Sequence, residues 1–141
     1  MTNALGRFRT SCVLQLVAGV LAHAVGLLEL ASPGIENSLG LDARLYATLF
    51  GGSLAASGLL CVIAAAPTLA AVGAGLDENE VTSRLKRHRL ASLAGIACAL
   101  VAGAMVLCIM YDSGLAMGPT LLVVACGLLA IERANRLLEE L

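Results

Sequence analysis

The chain has 141 residues, 59% hydrophobic and 13% charged, with a formal net charge of −1. An ordinary soluble domain carries roughly 25% charged residues, and a soluble fold of this length has too little interior for so much apolar surface, so the surplus must face lipid or other chains. The near-zero net charge gives no reason to expect a nucleic-acid partner.

Arg7 and Arg9 precede the first apolar stretch, residues 12–31. With Ala22-His23-Ala24 they imitate the charged, apolar and small-residue regions of a cleavable signal peptide. The expectation is instead a retained first membrane helix. His23 lies about 16 Å along that helix from Cys12, near mid-membrane, and Glu29 lies further out, near the boundary. Pro33-Gly34 then breaks the chain, and Glu36, Asp42 and Arg44 lie in the connection that follows.

Residues 46–66 form the second apolar stretch, and Pro67 is expected to mark a kink or the exit from the membrane. Asp77 with Glu80 resembles a capping box, which predicts a helix starting outside the membrane and leading into the third stretch, residues 90–111. Its basic residues Arg84, Lys86, Arg87 and Arg89 are placed to meet lipid headgroups. The fourth stretch, residues 115–131, continues into Glu132, Arg133 and Arg136, with Glu132 and Arg136 spaced as an i, i+4 pair.

Each stretch reaches or approaches the ~20 residues that cross ~30 Å of hydrocarbon. The expected fold is therefore all-α: one domain over residues 1–141, an integral membrane four-helix bundle. Eight of the nine Lys and Arg residues fall on one face of such a four-span chain. The positive-inside rule puts that face, and both termini, in the cytoplasm. A bacterial inner membrane is the expected location.

Small residues recur every four positions: Ala18, Ala22 and Gly26; Ala47, Gly51 and Ala55; Ala91, Gly95, Ala99 and Gly103. Such ridges let helices approach closely, either within one chain or in a homo-oligomer or larger membrane complex. The five cysteines lie within or beside apolar runs without CxxC spacing, as small packing residues do. Neither a metal site nor any other cofactor is expected, and His23 and His88 sit at different depths, a poor arrangement for one haem.

Ionisable residues inside membranes are where function is sought first. An external polar cluster of His23, Glu29, Arg44, Tyr46, Tyr111 and Asp112 is permitted by this topology, either as a ligand site or as a structural salt bridge of Arg44 with Glu29 or Asp112. Nucleophile-elbow, zinc-protease and P-loop motifs are missing from the sequence, so no catalytic residue is assigned and an enzyme is not expected. Two functions are carried forward. One is a non-catalytic packing, assembly or accessory subunit. The other is a small membrane transporter, or a protein binding a hydrophobic small ligand, built around Glu29.

Gly26-Leu27-Leu28 with Pro33, then Leu39-Gly40-Leu41-Asp42 with Arg44, then Phe50-Gly51-Gly52 and Gly58-Leu59-Leu60 form a further pattern. With Tyr111-Asp112-Ser113-Gly114 and Glu132, it resembles small four-helix bacterial membrane proteins of unknown function related to the DoxX-like group. The resemblance implies architecture rather than a mechanism.

Overall fold

A computed structural model describes residues 2–31, 40–73, 78–107 and 114–140. Four helices follow one another: α1 (Thr2–Ala31), α2 (Ala43–Gly73), α3 (Glu78–Val106) and α4 (Gly114–Glu139). Within them, Ala4–Ala31, Ala43–Ala71 and Asn79–Val106 are each long and apolar enough to cross a membrane. The stretch 115–131 expected as a fourth span lies within α4.

The start of α2 is built from two local choices. Gly40 has φ of +65°, a left-handed turn that side-chain-bearing residues rarely adopt. Asp42 then caps the helix, its Oδ1 accepting from the amides of Arg44 at 3.0 Å and Leu45 at 3.2 Å. Asp77, expected to cap α3, lies outside the described residues, and α3 runs as one helix from Glu78 through its basic turns.

Pro67 does not end α2, which continues six residues beyond it to Gly73. Proline gives up one backbone donor and crowds the turn before it, and here side chains hold that turn from outside. The Ala64 carbonyl accepts from Thr68 Oγ1 at 2.7 Å and from His88 Nδ1 of α3 at 3.0 Å. Pro67 itself is exposed, so its ring displaces no packed neighbour.

The helices pack in a ring, α1 against α2, α2 against α3, α3 against α4 and α4 against α1, which leaves α1 and α3 diagonally opposed. The closest approach is between α1 and α2, where glycines replace side chains at the contact. A Cβ on Gly26 would lie 2.7 Å from the Gly51 carbonyl oxygen and overlap the backbone of Ala55, and one on Gly19 would lie 2.8 Å from the Gly58 carbonyl oxygen. A Cβ on Gly58 would overlap the backbone of Gly19 and His23. Gly19 and Gly58 belong to this seam although the every-fourth-residue reading did not include them.

Two apolar clusters fill the interior. One contains Ala18, Ala22, Tyr46, Phe50, Leu54, Ala99, Ala102, Val106 and Val123; the other, toward the chain termini, contains Phe8, Cys12, Ala65, Leu85, Ala134 and Leu137. Outside, large apolar side chains stand exposed on every helix, among them Val17, Leu28, Ile63, Leu90, Leu100 and Leu121. A belt of this kind would cause a water-soluble monomer to associate; against acyl chains it has no desolvation cost.

Candidate functional site

Of the six residues of the expected external cluster, His23, Glu29, Arg44 and Tyr46 are among the described ones. His23, half-buried on α1, has Nδ1 2.9 Å from the Ala55 carbonyl of α2. A carbonyl only accepts, so Nδ1 carries the hydrogen. Tyr46 is fully buried, stacks on Phe50 with ring centroids 6.4 Å apart, and donates its hydroxyl hydrogen to the Met105 carbonyl of α3. Glu29 is half-buried and Arg44 is exposed at the start of α2. Among the described residues these two form no ion pair with one another. Tyr111 and Asp112 lie outside the described residues.

Further polar side chains tie the helices together in the interior, at positions with no place in the expected external cluster. Gln15 of α1 is fully buried and donates from Nε2 to Ser92 Oγ of α3 at 2.8 Å, across the diagonal of the bundle. Ser57 Oγ of α2 donates to the Gly95 carbonyl of α3 at 2.8 Å. His88, 1% exposed, directs Nδ1 to the Ala64 carbonyl and meets Phe8 edge to face with centroids 5.5 Å apart. Two buried acceptors among these side chains have no hydrogen-bond partner, Gln15 Oε1 and His88 Nε2. His23 and His88 therefore hold α2 at carbonyls nine residues apart, about 13 Å along the helix. A signal for Gln15 existed in the sequence: it is the one side-chain amide in the first apolar run, on the face that continues through Ala18, Ala22 and Gly26.

The small-residue positions are used within the chain. Ala18, Ala22, Gly26, Ala47, Gly51, Ala55, Gly95 and Ala99 are buried, while Ala91 and Gly103 are partly so. A Cβ on Gly95 would meet Cys61 Sγ at 3.2 Å, and one on Gly103 would meet Thr120 Cγ2 of α4 at 3.1 Å. Cys12 and Cys61 are buried packing residues and Cys98 and Cys126 are partly exposed. Among the described residues, no group of three or more His, Cys, Asp or Glu side chains converges in a way that could hold a metal ion.

At the end of the bundle bearing the termini, the charges are partly spent. Arg84 pairs with Glu80 at 2.9 Å within α3, and Arg136 pairs with Glu132 at 2.5 Å within α4, the i, i+4 relation expected. Lys86 and Arg87 are exposed and Arg89 is half-exposed. On the neighbouring side, Ala4 and Arg7 of α1 and Arg133, Arg136 and Glu140 from α4 and its end line a cavity of about 170 Å³. No family model, curated protein or solved structure matches the chain.

Proposed function

We propose that this chain is a non-catalytic, multi-pass membrane protein that acts as a packing, assembly or accessory subunit. It crosses the bilayer four times, with both termini and the basic start of α3 in the cytoplasm, in a bacterial inner membrane. The observation that carries this reading is how the interior polar groups are used. Gln15, His23, Tyr46, Ser57 and His88 each bond to a neighbouring or diagonal helix. These side chains tie the bundle together, while the large apolar ones are left on its outer surface for lipid or for other proteins. The resemblance to DoxX-like proteins enters the proposal as architecture.

The alternative transporter or ligand-binding reading asks Glu29 to gather with other polar groups of the outer end. His23 and Tyr46 are engaged with backbone carbonyls instead, and Glu29 and Arg44 are not paired with one another.

Extraction from native membranes in a mild detergent, followed by native mass measurement, tests the proposal. A stoichiometric complex with other membrane proteins, or with further copies, is the expected result. A monomer without partners would overturn it. For topology, Asn37→Cys and Asn79→Cys in a background without the native cysteines should label from opposite sides of the membrane. Labelling from the same side would refute the four-span arrangement.

A further inference from the structure

The cavity between α1 and α4 holds charge that the fold does not consume. Arg7 enters it from α1 and Arg133 from α4, and neither has an ion-pair partner among the described residues. Arg136 is held by Glu132, and Glu140 adds one carboxylate to the lining. Ala4, in the first turns of α1, brings the positive end of that helix to the same place. Guanidinium groups on two helices, at a cavity of about 170 Å³, can grip the oxygens of one phosphate from two sides.

What lies below the cavity narrows the source of that phosphate. Seven-residue steps from Arg7 along α1 reach Leu14, Leu21 and Leu28, which are 46%, 49% and 68% exposed. Equivalent steps back from Arg136 along α4 reach Leu129, half-buried, and Leu122, 47% exposed. Because α1 and α4 pack against each other, these leucines flank an apolar track that leads from the arginines toward the other end of the bundle. A charged head above an apolar track matches the chemistry of a phospholipid.

We propose that the Arg7–Arg133–Arg136 cavity is a binding site for the phosphodiester of an anionic phospholipid, with an acyl chain lying along Leu14, Leu21 and Leu122. The site is distinct from the basic turns of α3, where Arg84 is already paired and Lys86 and Arg87 stand exposed. It rests on the membrane reading above. A basic pocket between membrane helices on the cytoplasmic side suits an anionic headgroup because guanidinium charge and local dielectric act together.

Native mass spectrometry of the full chain in detergent tests it, with phosphatidylglycerol, phosphatidylcholine or inorganic phosphate added separately. Phosphatidylglycerol should be retained well above phosphatidylcholine, and the Arg7→Gln/Arg133→Gln variant should lose about thirtyfold in that preference. Lys86→Gln/Arg87→Gln should keep it. Because the chain has no tryptophan, Leu14→Trp gives a single reporter, whose fluorescence should be quenched by a bromine-labelled acyl chain on phosphatidylglycerol and recover in the arginine variant. Thermal unfolding in detergent checks that each variant is folded. Equal retention of the two lipids, or unchanged preference in a folded Arg7→Gln/Arg133→Gln variant, would overturn the site while leaving membrane insertion intact. Displacement of the lipid by millimolar inorganic phosphate would overturn the acyl track and leave a simple anion site. Failure of the chain to enter bilayers would instead count against the membrane reading itself.

Discussion

Gln15 on α1 donates to Ser92 on α3 at 2.8 Å, joining two helices that stand diagonally across the bundle and also meet at the Phe8–His88 ring contact. A bond in that position bears on the whole ring, because α2 and α4 must leave room for it between them. Hydrogen bonds between membrane helices average about 0.6 kcal/mol and reach about 1.7. A double-mutant cycle with Gln15→Ala and Ser92→Ala, read by unfolding in detergent, should therefore return a coupling near 1 kcal/mol. Gln15→Met should be tolerated better than Gln15→Ala, since methionine fills the same volume and removes an acceptor, Oε1, that has no partner. A coupling indistinguishable from zero would show that the two residues are merely adjacent.

The glycines order themselves by what a methyl group would meet. At Gly26 and Gly58 it would overlap backbone of the facing helix, which cannot turn away. Alanine at either position should be the most destabilising of the series. Alanine at Gly103, facing only a threonine methyl at 3.1 Å, should cost little. Leucine at Gly95 or Gly103 is larger and should cost about 1 to 3 kcal/mol by overpacking. Gly52 meets nothing within 4 Å inside α2, so Gly52→Ala should leave stability unchanged or raise it by up to about 1 kcal/mol. Thermal unfolding of these five positions gives the order directly, and a Gly26→Ala variant as stable as Gly52→Ala would contradict the packed seam.

The four helices could be read from the chain because apolar length and flanking arginines survive without knowledge of packing. Which face of each helix points inward could not be read from hydrophobicity, since residues such as Val17 and Leu100 are as apolar as Leu54 yet face outward. Small-residue spacing supplied that direction for Ala22, Gly26, Gly51 and Ala55, and it missed Gly19, one residue after Ala18, and Gly58, three after Ala55, because neither falls on the four-residue spacing. Charge in the sequence accumulates at the outer boundary, which is why polar chemistry is expected there. The Gln15–Ser92 bond depends on which helices are diagonal, and the bonds of Ser57 and His88 on which are neighbours, and no local pattern in the chain encodes either pairing. That α2 continues past Pro67 is likewise not legible locally: Thr68 and His88 hold the turn beside it, and the second of these comes from another helix.

Asp42 closes the first turn of α2 with one carboxylate oxygen on two amides. Asp42→Ala should cost about 1 kcal/mol and Asp42→Asn a few tenths, because asparagine keeps an acceptor at the same place. Tyr46→Phe, four residues on, keeps the ring against Phe50 and loses only the hydroxyl donated to Met105. That change leaves a part-buried carbonyl without this donor and should cost about 1 kcal/mol. Unfolding measurements on the two variants and their combination should be nearly additive, since one acts on α2 alone and the other on its contact with α3. Strong coupling would mean that the cap sets the position of the tyrosine.

Glu29 separates a scaffold from a transporter. A coupling carboxylate must change protonation during a cycle, whereas one that neither pairs nor couples can lose its charge without consequence. Glu29 is half-buried on α1 and has no ion pair with Arg44, so Glu29→Gln and Arg44→Gln should each change stability by less than about 0.5 kcal/mol, and their combination should be additive. Non-additivity beyond about 1 kcal/mol in the same unfolding measurement would show that the two charges meet in the bilayer. Reconstituted vesicles carrying a proton gradient supply the functional half of the test. Under the accessory-subunit reading, Glu29→Gln and the unaltered chain should be indistinguishable, with dissipation no faster than in protein-free vesicles. Faster dissipation by the unaltered chain, lost in a Glu29→Gln variant that unfolds at the same temperature, would replace the accessory reading with the transporter.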